Sequence, residues 1–451
     1  MKSAHEPDTT APIDVWTQLD RHRIEAADDT SGRPYARRRD EVLVDVSEAP
    51  SRLQKQALEV LGNGATTKRA DVVVGIRRFT LDGISVDDAL RRLRDAGLVA
   101  QPNHVWWAAP NYLGNPNYLG NPMYLGNPNY LGNPNYLGNP NYLGNPVANT
   151  ARPAAAPAAW PERTVPAAGP GTYSRPTVAV LDTGLHADPG SGKAMHPWLV
   201  DHCHVDGVVD SPDPTVADDL DEADADGDGW LDRESGHGTF ISGIVRRLAP
   251  DADVVDAGVL TSFGDGDDFT VATALRRLVT DVPGIDVVNL SFGGHTEDDA
   301  IPMTIAAVFD TARGLPDAPV FVAAAGNDAS CRPTWPAALP DVIAVGALDA
   351  RGPAWFSNWG PWVDACAPGV DVVSTFLPID ASVRCGYADA EPFGAGWATW
   401  SGTSFAAPKV AAAIADHMCR FATSAQEAAA VIVHDRRRFR IGDLGVVVNL
   451  V

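Results

Sequence analysis

Four polar residues of the sequence have the side chains that acyl transfer requires. Ser404 can act as a nucleophile, His237 as its base near neutral pH, and Asp182 as the carboxylate that orients the imidazole. Asn327 carries an amide that can donate to the oxyanion of a tetrahedral intermediate. Each residue taken alone is better explained as part of a packed fold. A catalytic site is indicated because all four residues are predicted to lie on the same side of one sheet, each at the end of a strand or the start of a helix.

The predicted strands and helices place three of these residues along one edge of a sheet. Apolar runs rich in Val, Ile and Ala predict buried strands at Thr177–Asp182, Val254–Leu260, Asp286–Ser291, Val320–Ala325 and Val342–Ala347. Helical periodicity lies between most of them, at Thr239–Leu248, Val271–Val279 and Ile301–Ala312. This alternation predicts an α/β fold with a parallel central sheet and helices on both faces. Ligands bind beyond the carboxyl ends of such strands, where Asp182, His237 and Asn327 fall.

Ser404 lies in a short turn before a predicted buried helix. Gly402 permits a sharp turn after a loop predicted at Trp397–Ser401, and the Ala-rich run Lys409–Met418 predicts the helix. Free N–H groups and the helix dipole favour negative charge at this point, so the backbone N–H of Ser404 can stabilise the oxyanion that its own hydroxyl creates. A serine that only caps a core helix is the alternative explanation.

The sequence around the four residues resembles the signature motifs of the subtilisin-like serine peptidases. These motifs are Val-Leu-Asp182-Thr-Gly, Gly-His237-Gly-Thr, Ala-Ala-Gly-Asn327 and Gly-Thr-Ser404-Phe-Ala-Ala-Pro, in the order typical of the family. The resemblance covers residues 172–435. It implies a subtilisin-like serine endopeptidase in which Ser404 is the nucleophile, His237 the general base and then acid, and Asp182 its orienter. Asn327 would line the oxyanion hole.

The same resemblance implies where a polypeptide substrate binds. Ser291, Phe292 and Gly293 resemble the family's substrate-binding strand, which pairs with the substrate backbone as an added strand. Ala324 and Gly326, in the motif that leads to the oxyanion asparagine, are expected beside the same groove. No cofactor is implied for the chemistry.

The charge distribution restricts the classes of partner. The formal net charge is −23, and almost all of it lies beyond residue 150, because residues 1–110 hold nearly equal numbers of basic and acidic side chains. Such a surface disfavours nucleic acid and anionic membranes and favours cationic partners. The acidic run Phe263–Asp268 follows a strand end where the family builds substrate pockets, which indicates a preference for basic substrate side chains. A simple solvated surface is the alternative.

A second acidic segment follows the first part of a calcium-binding loop. Asp224, Asp226 and Asp228 occupy its first, third and fifth positions, and Asp232 its ninth. Position 12 is Ser235, so the bidentate ligand expected there is missing. Two interpretations stay open: a weak structural calcium site that orders the approach to the catalytic histidine, or a solvated acidic loop.

Three further segments are predicted before the catalytic domain, which is assigned to residues 172–451. Residues 1–40 are polar and predict a flexible arm. Residues 41–108 predict a small α+β unit that resembles the family's propeptide, an intramolecular chaperone and inhibitor. Its predicted elements are Glu41–Val46, Pro50–Leu61, Asp71–Ile76, Val86–Ala96 and Leu98–Val105. His104 is interpreted as structural. Residues 109–171 predict a linker.

The linker contains six hexapeptides Asn-Tyr-Leu-Gly-Asn-Pro over residues 111–146, with Met123 opening the third. Asn-Pro-Asn favours a turn in each repeat, without a hydrophobic core. The repeats can be a spacer, continued by a Pro/Ala-rich stretch, or an array that presents tyrosine and leucine to a partner. A scaffold that binds through the repeats, with peptidase activity secondary, is the alternative function. Because family propeptides run almost directly into the enzyme, the linker leaves open whether and where the chain cuts itself.

The N-terminal sequence and the cysteines indicate a compartment. Met1–Glu41 has no apolar core of a signal peptide, and the chain has no apolar run of about 18 residues that predicts a transmembrane helix. The five cysteines are odd in number and lack metal-ligand spacing, which fits reduced thiols; they are Cys203, Cys331, Cys366, Cys385 and Cys419. We expect a cytoplasmic protein, or a secreted one if the true start lies upstream.

Overall fold

A computed structural model describes residues 15–108, 151–157, 175–205, 215–379, 383–384, 393–435 and 437–448. The six hexapeptides, Cys385 and residues 1–14 lie outside these ranges. Among the helices described, none is long and apolar enough to cross a membrane.

The N-terminal unit, residues 15–108, is an antiparallel sheet with three helices packed against it. Its elements are α1 (Val15–Arg21), β1 (Ile24–Asp28), β2 (Pro34–Asp45), α2 (Pro50–Leu61), β3 (Ala65–Thr66), β4 (Val72–Val73), β5 (Ile76–Leu81), α3 (Val86–Asp95) and β6 (Ala100–Ala108). The hydroxyl of Ser85 accepts from the N–H of Asp88 and caps α3. Leu90 and Leu93 of this helix pack with Val42 and Phe79 of the sheet.

Two expectations for this unit were wrong. Residues 15–40 form α1, β1 and the first half of β2 rather than a flexible arm, because the arginines that make this stretch look solvated are paired with carboxylates, as Arg37 is with Glu25. Residues 71–76 are two strands rather than one. Val74 and Gly75 have positive φ angles of 43° and 84°, so they form a two-residue turn between β4 and β5.

The elements from residue 151 onward alternate strands with helices over most of their length. They are β7 (Arg152–Pro153), β8 (Thr177–Asp182), β9 (Cys203–Val205), α4 (His237–Leu248), β10 (Asp253–Gly258), β11 (Asp265–Asp267), α5 (Asp268–Thr280), β12 (Val287–Leu290), β13 (Phe292–Gly293), α6 (Met303–Arg313), β14 (Val320–Ala324), β15 (Val342–Asp349), β16 (Gly352–Pro353), β17 (Ala365–Pro368), β18 (Val372–Thr375), β19 (Trp397–Trp400), α7 (Ala407–Phe421), α8 (Ala425–Ala429), β20 (Arg440–Ile441) and β21 (Gly445–Val447). A 3₁₀ turn, Thr403–Phe405, precedes α7.

A central sheet with the order β20-β21-β17-β15-β14-β12-β8-β10-β9 organises this second unit. Its neighbours from β9 to β21 are parallel, and β20 is antiparallel at one edge. Alternate residues of β8 enter opposite cores: Val178 and Val180 pack with α4 and α7, and Ala179 and Leu181 with α5 and α6. The α/β fold predicted from the sequence, a parallel sheet with helices on both faces, is confirmed.

β6 joins the two units. It pairs with β2 inside the N-terminal unit, and its last residues pair with β11 and β13 of the second unit, all antiparallel. Trp106 is buried in the same hydrophobic cluster as Leu290 and Phe292. Residues 105–108 therefore form a strand between two strands of the second unit.

A small third sheet supports the segment before Ser404. The stretch Trp397–Ser401, predicted as a loop, is the strand β19, which pairs with β18 on one side and with β7 on the other. Trp397 and Trp400 of this strand are buried. The expectation of a loop was wrong because both partners lie far away in the sequence and leave no local pattern.

Candidate active site

The structure places the four predicted residues at the carboxyl edge of the central sheet. Asp182 is the last residue of β8, and His237 is the first residue of α4. Asn327 follows the end of β14, and Ser404 lies in the 3₁₀ turn before α7. Asp182, His237 and Ser404 are completely buried.

Asp182 and His237 form a short buried pair, in which Asp182 Oδ1 lies 2.5 Å from His237 Nδ1. The other ring nitrogen, Nε2, has no hydrogen-bond partner among the described residues. Burial disfavours the imidazolium form, but the Asp182 carboxylate outweighs it, so the pKa of His237 is raised. Glu234 and Asp221 act in the same direction. The pair can therefore hold a proton that arrives at Nε2.

The turn that carries Ser404 is close to this imidazole. The ring centroid of Phe405, the next residue, lies 5.3 Å from that of His237, and the ring of Trp400 lies 5.4 Å away. The Ser404 hydroxyl donates to the carbonyl oxygen of Ser291 at 2.9 Å, while the Ser291 hydroxyl donates to that of Ser404 at 2.8 Å. The Ser404 hydroxyl is therefore bonded to the carbonyl oxygen of Ser291, the residue after β12, and not to His237 as a nucleophile–base pair would be.

Thr403 orients the side chain of Asn327. Asn327 Oδ1 accepts from the backbone N–H and the hydroxyl of Thr403, at 3.0 and 2.9 Å. This turns the amide nitrogen of Asn327 away from Thr403. Gly326, which precedes Asn327, donates its N–H to the Thr403 hydroxyl at 3.1 Å. Thr403 is a positioning residue that the sequence analysis did not single out, although it lies inside the Gly-Thr-Ser motif.

Asn358 is a second positioning residue that sequence reasoning missed. Its Oδ1 accepts from the N–H groups of Asp328 and Ser330 at 2.8 and 3.1 Å, and its Nδ2 donates to the carbonyl of Ala325 at 3.0 Å. Gly326 has a φ of 100°, and a Cβ there would meet Asn358 Nδ2 at 2.5 Å. The sequence signal for this role is an asparagine within the aromatic motif Phe-Ser-Asn-Trp, where a buried amide is to be expected.

The predicted substrate-binding residues serve different parts of the site. Phe292 and Gly293 line the groove and pair with Ala108 and Trp107 of β6. Ser291 instead exchanges hydrogen bonds with Ser404. The Ala324 side chain is buried in the hydrophobic core, and the N–H of Gly326 donates to the hydroxyl of Thr403 in the turn that carries Ser404. Two of the five thus meet the strand that occupies the groove.

Part of the second acidic segment converges as a cation site would. One carboxylate oxygen from each of Asp224, Asp226 and Asp232 lies within 4.8 Å of the others. Asp228 is not part of this group; its N–H donates to Asp224 and its carboxylate accepts from the N–H of Trp230. Burial, together with the neighbouring carboxylates, raises the pKa of Asp224 and raises that of Asp232 well above its usual range. Carboxylate oxygens are the ligand type that calcium prefers, and a bound cation would offset this repulsion. Asp226 Oδ2 also accepts from Gln18 Nε2 at 2.7 Å and lies 3.5 Å from Arg21 Nη1.

Comparison with known proteins agrees with this geometry. Residues 174–438 match the family described as the subtilase family. The chain is 30% identical over 253 residues to a cuticle-degrading serine protease of Arthrobotrys oligospora, covering 54% of this chain and 51% of that protein. It is 31% identical over 245 residues to a thermophilic serine proteinase of Bacillus sp. (strain AK1), covering 52% and 50%. The chain thus spans about half the length of these curated relatives.

Among solved structures, the chain is similar to fervidolysin from Fervidobacterium pennivorans, which is described as a keratinolytic enzyme related to subtilisin. The TM-score is 0.58 at 20% identity, and the match covers 92% of this chain and 60% of that one. This likeness shows the fold. Because the family match extends over more than half of the sequence and contains all four site residues, the chain belongs to the subtilase family.

Proposed function

We propose that the chain is a serine endopeptidase that cleaves polypeptides through an acyl-enzyme on Ser404. The observation that carries the proposal is the buried pair of Asp182 and His237, with Nε2 unpartnered among the described residues and the ring packed against the aromatic side chain next to Ser404. The names of the relatives, two of which are serine proteases or proteinases, support the same activity.

In the proposed reaction, the Ser404 hydroxyl turns from the Ser291 carbonyl towards His237. Nε2 takes the hydroxyl proton while Oγ attacks the carbonyl carbon of the scissile bond. The Asp182 carboxylate stabilises the imidazolium that forms, and the imidazolium then protonates the leaving amine. Water deprotonated by the same imidazole hydrolyses the acyl-enzyme. No cofactor takes part in these steps.

The oxyanion of the tetrahedral intermediate would receive two hydrogen bonds. One comes from the Asn327 amide nitrogen, which Thr403 holds by contacts to the opposite oxygen. The other comes from the backbone N–H of Ser404. Donors fixed before the reaction stabilise developing charge without reorganisation, which is why Thr403 and Asn358 matter although neither touches the reacting atoms.

Labelling with a fluorophosphonate tests the assignment of the nucleophile. We expect the probe to label the wild-type chain and Ser191→Ala, which removes an exposed hydroxyl, but not Ser404→Ala. Hydrolysis of an unfolded polypeptide should follow the same pattern. Labelling or hydrolysis by Ser404→Ala at the wild-type rate would contradict the proposal.

The N-terminal unit is proposed to inhibit the enzyme by occupying the groove. Residues 105–108 lie antiparallel between β11 and β13, as an added substrate strand would. We propose that the chain cuts itself between residues 108 and 151, and that the N-terminal fragment stays bound because Trp106 is buried in a core shared by both units. A wild-type sample should give two bands on a denaturing gel but one species in size exclusion, and Ser404→Ala should stay intact. An intact wild-type chain would contradict self-cleavage.

A structural calcium ion is the second component of the proposal. Asp224, Asp226 and Asp232 would hold it, and it would order the loop that leads to His237. Calcium should raise the melting temperature by several degrees relative to a chelator, as expected for a ligand that binds only the folded state. Asp226→Asn should remove this difference, whereas Asp188→Asn, in another acidic loop, should keep it. An equal melting temperature with and without calcium would contradict the site. The role of the repeats and the cytoplasmic location stay predictions.

A further inference from the structure

His104 of β6 meets a buried carboxylate at the upstream end of the groove. Its Nδ1 lies 2.8 Å from Asp268 Oδ2, and the same oxygen accepts from Gln101 Nε2 at 2.8 Å and from the His104 N–H at 3.4 Å. All three donors belong to the N-terminal unit. Asp268 Oδ1 is buried and has no hydrogen-bond partner in the part of the chain that the structure describes. Asp268 thus uses one oxygen for three donors and leaves the other unsatisfied.

The carboxylates beside Asp268 also take basic partners from the N-terminal unit. Arg38 donates to Asp265 at 2.8 Å and to Asp267 at 3.0 Å, and both carboxylates are buried. His22 Nδ1 lies 2.7 Å from Asp265. Release of the N-terminal unit removes these basic partners together. The carboxylates of Asp265, Asp267 and Asp268 are then left close to one another without counter-charges, so this side of the groove favours a positively charged replacement.

The opposite side of the groove presents a backbone donor to His104 and carries a carboxylate nearby. The N–H of Glu297 donates to His104 Nε2 at 3.2 Å, so His104 spans the groove from Asp268 to Glu297. The Glu297 carboxylate pairs with Arg94, another residue of the N-terminal unit, at 2.5 Å. Without that unit, the Glu297 carboxylate also loses its cationic partner, while the backbone N–H of Glu297 faces the position of His104.

We propose that Asp268 is a specificity-determining residue that selects a cationic side chain of the substrate. A bound substrate would place one residue opposite Phe292, where Ala108 lies in this structure. The selected side chain is four residues upstream of that residue and takes the place of His104. This inference rests on the proposed function, in which a substrate binds as β6 does. Arginine suits the site best, because its planar fork can donate to both oxygens of Asp268. A neutral side chain leaves the carboxylate without a counter-charge.

Two peptides that differ only at this position test the inference. Hydrolysis by the full chain should favour arginine over glutamine about tenfold in kcat/KM, within the range for a charge-assisted hydrogen bond, and the ratio should fall to near one in Asp268→Asn. Each ratio is taken within one protein, so it does not depend on how much of the groove the N-terminal unit blocks. Asp281→Asn, which changes an exposed carboxylate at the other end of α5, should keep the ratio. A wild-type ratio near one, or an unchanged ratio in Asp268→Asn, would overturn the proposal.

A second measurement uses the chain's own strand and needs no peptide. The rate at which a fluorophosphonate labels Ser404 reports how often the groove is open. His104→Gln should be labelled faster than His104→Lys, and this difference should disappear when Asp268→Asn is added. Equal labelling of the two His104 variants would reject the selection of a cation. Normal labelling of Ser404→Ala would instead reject the proposed function, so the two failures can be told apart.

Discussion

The molecule contains two buried histidine–aspartate pairs that look alike by residue type. His237 Nδ1 lies 2.5 Å from Asp182, and His104 Nδ1 lies 2.8 Å from Asp268. All four side chains are almost completely buried. The difference lies at the second ring nitrogen. Nε2 of His237 has no partner among the described residues, whereas Nε2 of His104 accepts from the N–H of Glu297.

We propose that this difference separates a reactive pair, Asp182 and His237, from an adhesive pair, His104 and Asp268, that holds the two units together. A histidine with an open Nε2 can accept a proton from another group, but one with both nitrogens bonded only cross-links its neighbours. The origin of the residues agrees with these roles. Asp182 and His237 both belong to the second unit, while His104 and Asp268 come from different units and pair only while those units are in contact. The partner of Nε2 therefore indicates the role better than the presence of a His–Asp pair.

The largest effect should follow from loss of the first imidazole. His237→Ala is expected to lower kcat by about 10⁶, a magnitude that is subtilisin's own, because His237 is the base proposed to take the Ser404 proton. Peptide hydrolysis under saturating substrate measures it, with His204→Ala, an exposed histidine of β9, as the control. Activity of His237→Ala within tenfold of the control would mean that the first pair is not the reactive one.

Loss of the oxyanion donor should have the next largest effect. Asn327→Ala should lower kcat by about 10²–10³ and leave KM nearly unchanged, a range that also comes from a subtilisin. The donor acts on charge that exists only in the transition state, so substrate binding is spared. Asn63→Ala, which changes an exposed side chain of the N-terminal unit, should have neither effect. A rise in KM without a fall in kcat would place Asn327 in substrate binding instead.

The sequence predicted the reactive pair and missed the adhesive one for a physical reason. Both ends of β8 were predicted correctly, because a strand buried on both faces is a continuous apolar run, and in β8 this run ends at the polar residue Asp182. The partner of His104 depends on how two units dock, and docking leaves no periodic signal near His104. The same limit applies to β19, whose partners are distant, and to the Ser404 rotamer, which donates to Ser291.

Loss of the second imidazole should have the opposite sign. His104→Ala removes the cross-link between the units and leaves the buried Asp268 carboxylate without its imidazole partner, so the N-terminal unit should release more readily. We expect fluorophosphonate labelling of Ser404 to become about 10-fold to 100-fold faster, since leaving a buried group without its hydrogen-bond partner costs about 1–3 kcal/mol and each 1.4 kcal/mol is tenfold. Val99→Ala, an exposed change near β6, should label at the wild-type rate. Slower labelling of His104→Ala would mean that this pair assists the chemistry.

The smallest effect concerns the pH dependence. Burial opposes the charged form of His237, but Asp182, Glu234 and Asp221 outweigh it and raise its pKa above the ordinary value of about 6.5. The base must be neutral, so kcat/KM is lost as the pH falls through this raised pKa, and the acid limb should lie above pH 6.5. Glu234→Gln removes one of the charges that raise this pKa and should therefore move the limb to lower pH.

The same profile distinguishes the two pairs. Asp268→Asn changes the carboxylate of the adhesive pair, which does not face the reacting atoms, so the acid limb should keep its wild-type position even where the overall rate changes through release of the N-terminal unit. A change in the fraction of molecules with an open groove multiplies kcat/KM by the same factor at every pH. A change in the pKa of the base instead moves the profile along the pH axis. A limb that moved in Asp268→Asn and stayed in Glu234→Gln would require the roles of His104 and His237 to be exchanged.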